Sequence, residues 1–179
     1  MLPQPENPPA KIFKGIAERS QYSLGWFFGF KLLLIINKKG EILSFYLTKG
    51  NVGYRNVKLM KSMTENLFGK LYGDKGYIAK AFSDLLFGNG VQLIATPKKN
   101  MKNQSISPND RILLRKRAII EFVNDELKNR CKLEHTCHRS GNNFLVNILG
   151  VQTAYCFFPK KPSLNIEFDL SSPQLSLCA

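Results

Sequence analysis

The sequence predicts an α/β fold built around one hydrophobic core, and three observations favour it. Apolar runs of strand length alternate with segments of helical periodicity along most of the chain. The resulting order, β-β-α-β-α-β-α-α, is typical of helices packed against a sheet. The chain has 179 residues, of which 44% are hydrophobic, and this is enough to bury the core of one domain.

The N-terminal half contains a predicted hairpin followed by alternating helices and strands. Residues 1–12 are rich in proline and lack apolar periodicity, so we expect a disordered leader there. The apolar segments 26–37 and 42–48 flank the turn sequence 38–41 and predict a β-hairpin. The next predicted elements are a helix at 56–68, a strand at 70–72, a helix at 79–87 and a strand at 91–96.

The C-terminal half is predicted to be mainly helical. Ser107 and Asp110 have the spacing of an N-terminal capping pair, and they precede a helix predicted over residues 110–130. A last helix is predicted over residues 142–158. We expect the folded domain to span residues 13–164 and residues 165–179 to form a tail.

The predicted helix 110–130 has a polar and an apolar face. At about 100° per residue, the polar face carries Arg117, Glu121, Asn124 and Lys128. The apolar face carries Ile112, Ile119, Ile120, Val123 and Leu127 and is expected to pack on the core. The ordinary interpretation of such a polar face is a solvated ladder of ion pairs. A functional interpretation needs support from elsewhere in the chain.

The charge of the chain points to a polyanionic partner. The sequence has 26 Lys and Arg against 13 Asp and Glu, a net charge of +13 and a pI near 9.7. Nucleic acid is the first candidate for the partner of such a protein. The loop 97–108 contains Lys98, Lys99 and Lys102, and it is either a segment that follows a phosphate backbone or an ordinary solvated loop.

Cysteine usage and hydropathy argue for a cytoplasmic protein without a membrane segment. The four cysteines occur without a secretory signal, which favours free thiols in a reducing compartment. The longest apolar run, 26–36, contains Lys31 and is shorter than the roughly 20 residues of a membrane helix. Its aromatic residues, Trp26 among them, could stack on bases, but aromatic residues in a strand more often belong to the core.

Asp74 and Glu121 are the acidic residues whose positions favour a metal site. Asp74 follows a predicted strand and lies between Gly73 and Gly76, where an aspartate most often forms a turn. In an α/β sheet, however, ligands bind at the carboxyl ends of strands, and a carboxylate there suits a hard divalent cation. A strand-end Asp together with a helical Glu therefore predicts a Mg²⁺ site of the kind used in phosphoryl transfer.

The motifs around these two residues resemble a known family. The pattern Arg117-x(3)-Glu121-x(6)-Lys128, together with the segment 73–77, resembles the DDE transposase domain of bacterial insertion-sequence elements. Further segments are similar to the family's strands and C-terminal part, and the resemblance covers about residues 13–164. These further segments are 25–32, 47–52, 134–140 and 155–164.

The resemblance implies an RNase H-like fold and a metal-dependent DNA strand cleavage and transfer activity. Asp74 and Glu121 match two of the three carboxylates that hold two Mg²⁺ or Mn²⁺ ions in the family. Arg117 and Lys128 match basic residues expected to contact DNA phosphates. The implied partners are double-stranded DNA, as element ends and target, and a second copy of the chain in a homodimer. The implied location is the bacterial cytoplasm, in association with the nucleoid.

One departure from the family changes the expected activity. The family's first catalytic Asp lies on the first strand of its sheet, and no aspartate precedes Asp74 in this sequence. We therefore expect an N-terminally truncated or inactive copy of an insertion-sequence transposase, with an exposed sheet edge where the first strand is missing. The alternative is a non-catalytic DNA-binding remnant that occupies element ends.

Overall fold

The computed structural model describes residues 13–22, 25–53, 56–96, 106–134, 138–164 and 174–178. These residues form a mixed α/β fold, which confirms the predicted class in its coarse form. They fall into two compact units, each described by itself below. The first unit comprises residues 1–32, 47–52 and 124–160, and the second comprises residues 33–46, 53–123 and 161–179. The predicted leader 1–12 and most of the basic loop 97–108 lie outside the described residues.

The strands and helices follow the sequence pattern closely in the middle of the chain. The strands are β1 (Glu18–Tyr22), β2 (Gly25–Asn37), β3 (Ile42–Lys49), β4 (Gly69–Gly73), β5 (Val91–Ala95) and β6 (Gln174–Cys178). The helices are α1 (Val57–Thr64), α2 (Lys80–Gly88), α3 (Pro108–Lys116), α4 (Ile119–Asp125) and α5 (Gly141–Cys156). The predicted hairpin at 26–48 and the strands near 70 and 91 are thereby confirmed.

In the second unit, β6 lies between β2 and β4. It pairs antiparallel with β2, where Asn37 faces Leu175, and parallel with β4, where Lys70 faces Gln174. Strand β4 in turn pairs in parallel with β5, and β3 pairs with β2. The core of this unit contains the buried side chains of Leu34, Ile35, Ile36, Met60, Met63, Leu71, Phe82, Leu86 and Val91.

The position of β6 corrects the expectation of an exposed edge. The edges of β2 and β4 that a missing strand would leave open are both paired, because residues from the predicted tail form β6 between them. Unpaired backbone N–H and C=O groups inside a sheet cost free energy, and β6 supplies partners for residues 34–37 of β2 and 70–72 of β4.

In the first unit, β1 pairs antiparallel with the start of β2, with Glu18 facing Gly29. The sequence pattern does not predict β1, since its residues lack apolar alternation. Gly50 packs against this pair: its N–H donates to the Gly29 carbonyl oxygen at 2.9 Å. A Cβ at Gly50 would lie 2.7 Å from the Glu18 carbonyl oxygen, so a residue without a side chain is needed there. Aromatic contacts among Phe13, Phe30 and Phe144 complete the packing of this unit.

Trp26 departs from the expectation that the aromatic residues of β2 are core. Its side chain is 54% exposed, and the guanidinium carbon of Arg19 lies 5.4 Å from its ring centroid. The core prediction is wrong for Trp26, since this residue lies near the start of the strand on a face that the described elements leave open.

Helices α2 and α5 begin and end within two residues of their predicted bounds. Asn56 caps α1 by accepting hydrogen bonds from two backbone N–H groups, and Ser140 caps α5 in the same way with one. Helix α5 buries Ile148, Val151 and Tyr155. Helix α1 ends at Thr64, four residues before the predicted end at 68. Among the helices of the described residues, none combines the length and the hydropathy that a membrane span requires.

The single helix predicted over 110–130 is wrong, because the structure divides it. Helix α3 ends at Lys116, α4 begins at Ile119, and the residues Glu126–Arg130 form a π-helical turn. The break is a tight turn in which the N–H groups of Ile120 and Glu121 donate to carbonyl oxygens three residues earlier. The predicted polar face assumed a constant 100° per residue from Arg117 to Lys128, and the break and the π-helical turn remove that regular spacing.

The burial pattern explains the break. Helix α3 buries Asp110, Leu113 and Leu114, whereas Ile112 is 40% exposed, contrary to its predicted place on the apolar face. Helix α4 buries Ile119, Ile120 and Val123 as predicted. At about 100° per residue the mean directions of the two buried sets would be roughly 130° apart on one straight helix. The turn at Arg117 and Ala118 lets both sets reach the core.

Lys132, two residues after the π-helical turn ends, has a left-handed backbone conformation with φ 55°. A side chain in that conformation is strained, so Lys132→Gly is expected to raise the free energy of unfolding by about 1 kcal/mol in urea denaturation. Lys132→Ala removes the same charge and keeps the Cβ atom, so it should give no gain. An equal gain from both variants would contradict the backbone explanation.

Candidate functional site

Asp74 lies directly after β4, at the carboxyl end of two parallel strands. The β4–β5 ladder ends with Gly73 facing Ala95, and Asp74 begins the 3-10 turn Lys75–Tyr77. Its Oδ1 atom accepts a hydrogen bond of 2.7 Å from the Lys75 N–H. The side chain is nevertheless 53% exposed. Asp74 is thus held by the turn and remains accessible to a ligand.

Arg117 is the residue that the structure brings to Asp74. Its Nη2 atom lies 3.6 Å from Asp74 Oδ1, and its side chain is 34% exposed. The tight turn after α3 positions Arg117 here, because the residue forms the C-terminal cap of that helix. The hydrogen bond from Lys75 and the ion pair with Arg117 both involve Asp74 Oδ1. Among the described contacts, Asp74 Oδ2 is therefore the oxygen that a cation would reach first. The guanidinium therefore supplies positive charge beside a candidate metal ligand.

Glu121 lies one turn after Arg117, in the first turn of α4. Its N–H donates to the Ala118 carbonyl oxygen at 2.9 Å, and the residue is exposed. The Glu121 carboxylate is therefore accessible to a ligand.

The carboxylates of Asp74 and Glu121 are each of the donor type that suits Mg²⁺. Both offer only carboxylate oxygens, and Mg²⁺ is commonly held by one or two carboxylates with water and phosphate completing its shell. Within the described residues, no three His, Cys, Asp or Glu side chains come together as a potential metal cluster. The three-carboxylate, two-metal site implied by the resemblance is therefore not assembled by the described part of the chain.

Asp110 forms a buried polar cluster that fastens α3 to β4. Its side chain is only 8% exposed and accepts hydrogen bonds from Tyr72 Oη at 2.8 Å, Ser107 Oγ at 2.8 Å and Lys70 Nζ at 3.1 Å. Burial alone raises the pKa of Asp110, but these hydrogen bonds and the Lys70 charge outweigh it and hold the pKa below its ordinary value. Burial and the Asp110 hydrogen bond raise the pKa of Tyr72, so its hydroxyl stays a donor.

The sequence pattern indicates only the capping part of this cluster. The Ser107–Asp110 spacing identifies the cap, and Ser107 Oγ indeed accepts from the Asp110 N–H at 3.1 Å. The contacts to Lys70 and Tyr72 join residues far apart in the chain, and no local pattern marks them. Because Lys70 and Tyr72 are two positions apart in β4, both side chains point to the side of that strand on which Asp110 lies.

The remaining basic candidates are only partly described. Lys128, in the π-helical turn, forms an ion pair of 3.0 Å with Glu134 Oε1 and is 45% exposed. Its assignment as a DNA contact stays a prediction. Lys98, Lys99 and Lys102 lie outside the described residues, so nothing bears on their predicted role.

Comparison with known proteins identifies one family. A family model described as a transposase DDE domain matches residues 6–141, which is more than half of the chain. The matched range contains Asp74, Arg117, Glu121 and Lys128. No curated protein and no solved structure matches the chain.

Proposed function

This chain belongs to the transposase DDE domain family, and from that membership we propose that it acts on DNA as an insertion-sequence transposase, by metal-dependent strand cleavage and transfer. The observation that carries the proposal is the placement of Asp74 at the carboxyl end of β4, in contact with Arg117, which lies four residues before Glu121. A carboxylate and a guanidinium side by side suit a site that binds both a cation and a phosphate.

The proposed fold is RNase H-like. In such a sheet the first strand normally lies in the middle, beside the strand that carries the second catalytic carboxylate. Here β6 lies next to β4 and pairs antiparallel with β2, so the sheet of the second unit is continuous. The strand in this position therefore comes from the C-terminal part of the sequence, and not from the N-terminal part. The paired positions of β6 contain no Asp or Glu.

In the proposed mechanism, Asp74 and Glu121 would hold Mg²⁺ or Mn²⁺. The ion, when bound, supplies positive charge that favours attack on a phosphodiester. Arg117 is placed to bind a phosphate oxygen, since a guanidinium forms paired, charge-assisted hydrogen bonds with phosphates. Lys128 and the basic residues Lys98, Lys99 and Lys102 are proposed to contact the DNA backbone and orient the duplex.

A non-catalytic DNA-binding role is the second candidate. It is favoured by the finding that the described residues bring no three carboxylates together. Its partner would be the same DNA, bound through the basic surface of a chain with net charge +13. The homodimer, and the association with the nucleoid, stay predictions.

One assay tests the proposal and separates the two candidates. Binding of a 30-base-pair duplex is measured against salt concentration, and nicking of supercoiled plasmid is measured with Mg²⁺, Mn²⁺ or EDTA. We expect a slope of about −0.9 in log affinity against log salt for each phosphate contacted, together with nicking that needs the divalent ion. Binding without nicking would support the non-catalytic role. Affinity that does not change with salt would contradict both.

A further inference from the structure

The exposed face of the β1–β2 pair carries an aromatic ring and a cation that the proposed chemistry does not use. Trp26 is the one tryptophan of the chain, and more than half of its side chain is exposed. The register places Gln21 opposite Trp26 and Arg19 opposite Phe28. Because directly opposite residues point to the same face and successive residues alternate, these four side chains share one face, here called the Trp26 face.

The Trp26 face presents side-chain groups that suit an anion containing a flat ring. Arg19, Gln21 and Trp26 are exposed, and Phe28 is half-buried beside them. Glu18 alternates to the opposite face, where it forms an ion pair of 3.7 Å with Lys49. The paired residues of β1 and β2 therefore place a guanidinium, an amide and an indole on the Trp26 face, and they place no carboxylate there.

Contact between Arg19 and Trp26 sets up this surface. The Arg19 guanidinium carbon lies 5.4 Å from the centre of the Trp26 ring, within the range of a cation–π interaction. An indole held in this way offers apolar area for stacking, and the neighbouring cation offers a partner for the phosphate that accompanies each base.

We propose that the Trp26 face binds an unpaired DNA base, which stacks on Trp26 while Arg19 contacts its phosphate. The proposal rests on the proposed function, since the ligand is DNA. It specifies unpaired bases because base faces inside a duplex are covered by their neighbours and cannot stack on a side chain. The charge of the chain favours a polyanion over an apolar partner.

Intrinsic fluorescence tests the proposal directly, because the emission of the single tryptophan reports on this position alone. The full chain is titrated with a 15-nucleotide single strand and, separately, with a blunt duplex of the same length, while fluorescence anisotropy of labelled DNA measures binding. We expect the single strand to quench the Trp26 emission saturably and the duplex to leave it nearly unchanged.

Variants separate stacking from folding. Trp26→Ala is expected to weaken binding of the single strand by about 5- to 100-fold and to leave duplex affinity within about twofold. Trp26→Phe keeps a ring and should retain part of the affinity. Phe157→Ala is the matched control, since Phe157 is 83% exposed at the end of α5 and its loss should change neither affinity. Circular dichroism verifies that each variant is folded.

The outcomes distinguish this proposal from the proposed function. The stacking site would be overturned if saturating single-stranded DNA left the Trp26 emission unchanged, or if Trp26→Ala and wild type bound the single strand with equal affinity. Salt-dependent binding of the duplex would in that case still support a DNA-binding protein. An emission change that follows protein concentration without DNA would overturn it in favour of a second copy as the occupant. Failure to bind either form of DNA would overturn both.

Discussion

Asp110→Asn is expected to lower the free energy of unfolding by about 3 kcal/mol at neutral pH. Removing one charge of a buried, hydrogen-bonded pair costs about 3–5 kcal/mol, and the lower end applies because the Lys70 side chain is still 27% exposed. The asparagine is isosteric, so no cavity forms. It cannot accept from Tyr72, Ser107 and Lys70 together, because one of its two polar atoms is a donor. Urea denaturation followed by circular dichroism measures the change.

The pH dependence of stability provides an independent measure of the same cluster. The pKa of Asp110 lies below its ordinary value of 3.8, so the folded state binds a proton less readily than the unfolded state. Its contribution to stability is therefore fully present above pH 3.8 and is lost as the pH falls through the folded pKa. We expect wild type to lose stability in that acidic range more steeply than Asp110→Asn.

Two controls place the effect at the cluster. Asp84→Asn makes the same charge change at an exposed position of α2 and should shift stability by no more than about 0.5 kcal/mol. Tyr72→Phe removes one donor and should cost about 1 kcal/mol, with the ion pair retained. If Asp110→Asn behaved like Asp84→Asn in both the urea and the pH measurements, the cluster would not be a stabilising unit.

Asp74→Asn is expected to weaken Mn²⁺ binding by at least about tenfold, measured by calorimetry or electron paramagnetic resonance. An asparagine can still accept the Lys75 hydrogen bond as a helix cap, so the turn should persist while the negative charge is lost. Glu121→Gln should have the same consequence if both residues hold the ion. Glu65→Gln, at an exposed position after α1, is the matched control.

Arg117→Gln is expected to change Mn²⁺ affinity in the opposite direction, with binding about two- to fivefold tighter. In the absence of the ion, the guanidinium neutralises Asp74 at 3.6 Å, and a cation must compete with it. The gain is limited because exposed ion pairs contribute little. Once displaced, Arg117 is available to a phosphate, so metal and DNA should bind cooperatively in wild type and lose that coupling in the variant.

Arg115→Gln separates the ion pair from net charge. Arg115 is exposed on the same helix and its substitution removes the same charge. If this variant tightened Mn²⁺ binding as much as Arg117→Gln, the gain would come from net charge and not from the contact with Asp74. If Asp74→Asn bound Mn²⁺ as tightly as wild type, Asp74 would not be a ligand.

Local sequence patterns predict a strand most accurately where a long apolar run forms it. Strand β2 is such a run, and its predicted bounds differ from the observed ones by one residue. Strand β1 lacks apolar alternation, and the alternation in β6 consists of two leucines only, so local pattern does not distinguish either strand from a loop or a tail. The break between α3 and α4 likewise escapes a periodicity argument, because it arises when two apolar sets on one segment must both reach the core.

The sequence by itself determined the family, the basic charge, and the placement of Asp74 after a strand and Glu121 on a helix, since these depend on residue type and short spacing. Only the tertiary structure decided that Arg117 contacts Asp74, that Asp110 is buried with Lys70 and Tyr72, that β6 fills the position between β2 and β4, and that Trp26 is exposed. Periodicity constrains residues a few positions apart. Contacts between distant segments depend on strand register and helix rotation, which are determined by packing of the whole chain.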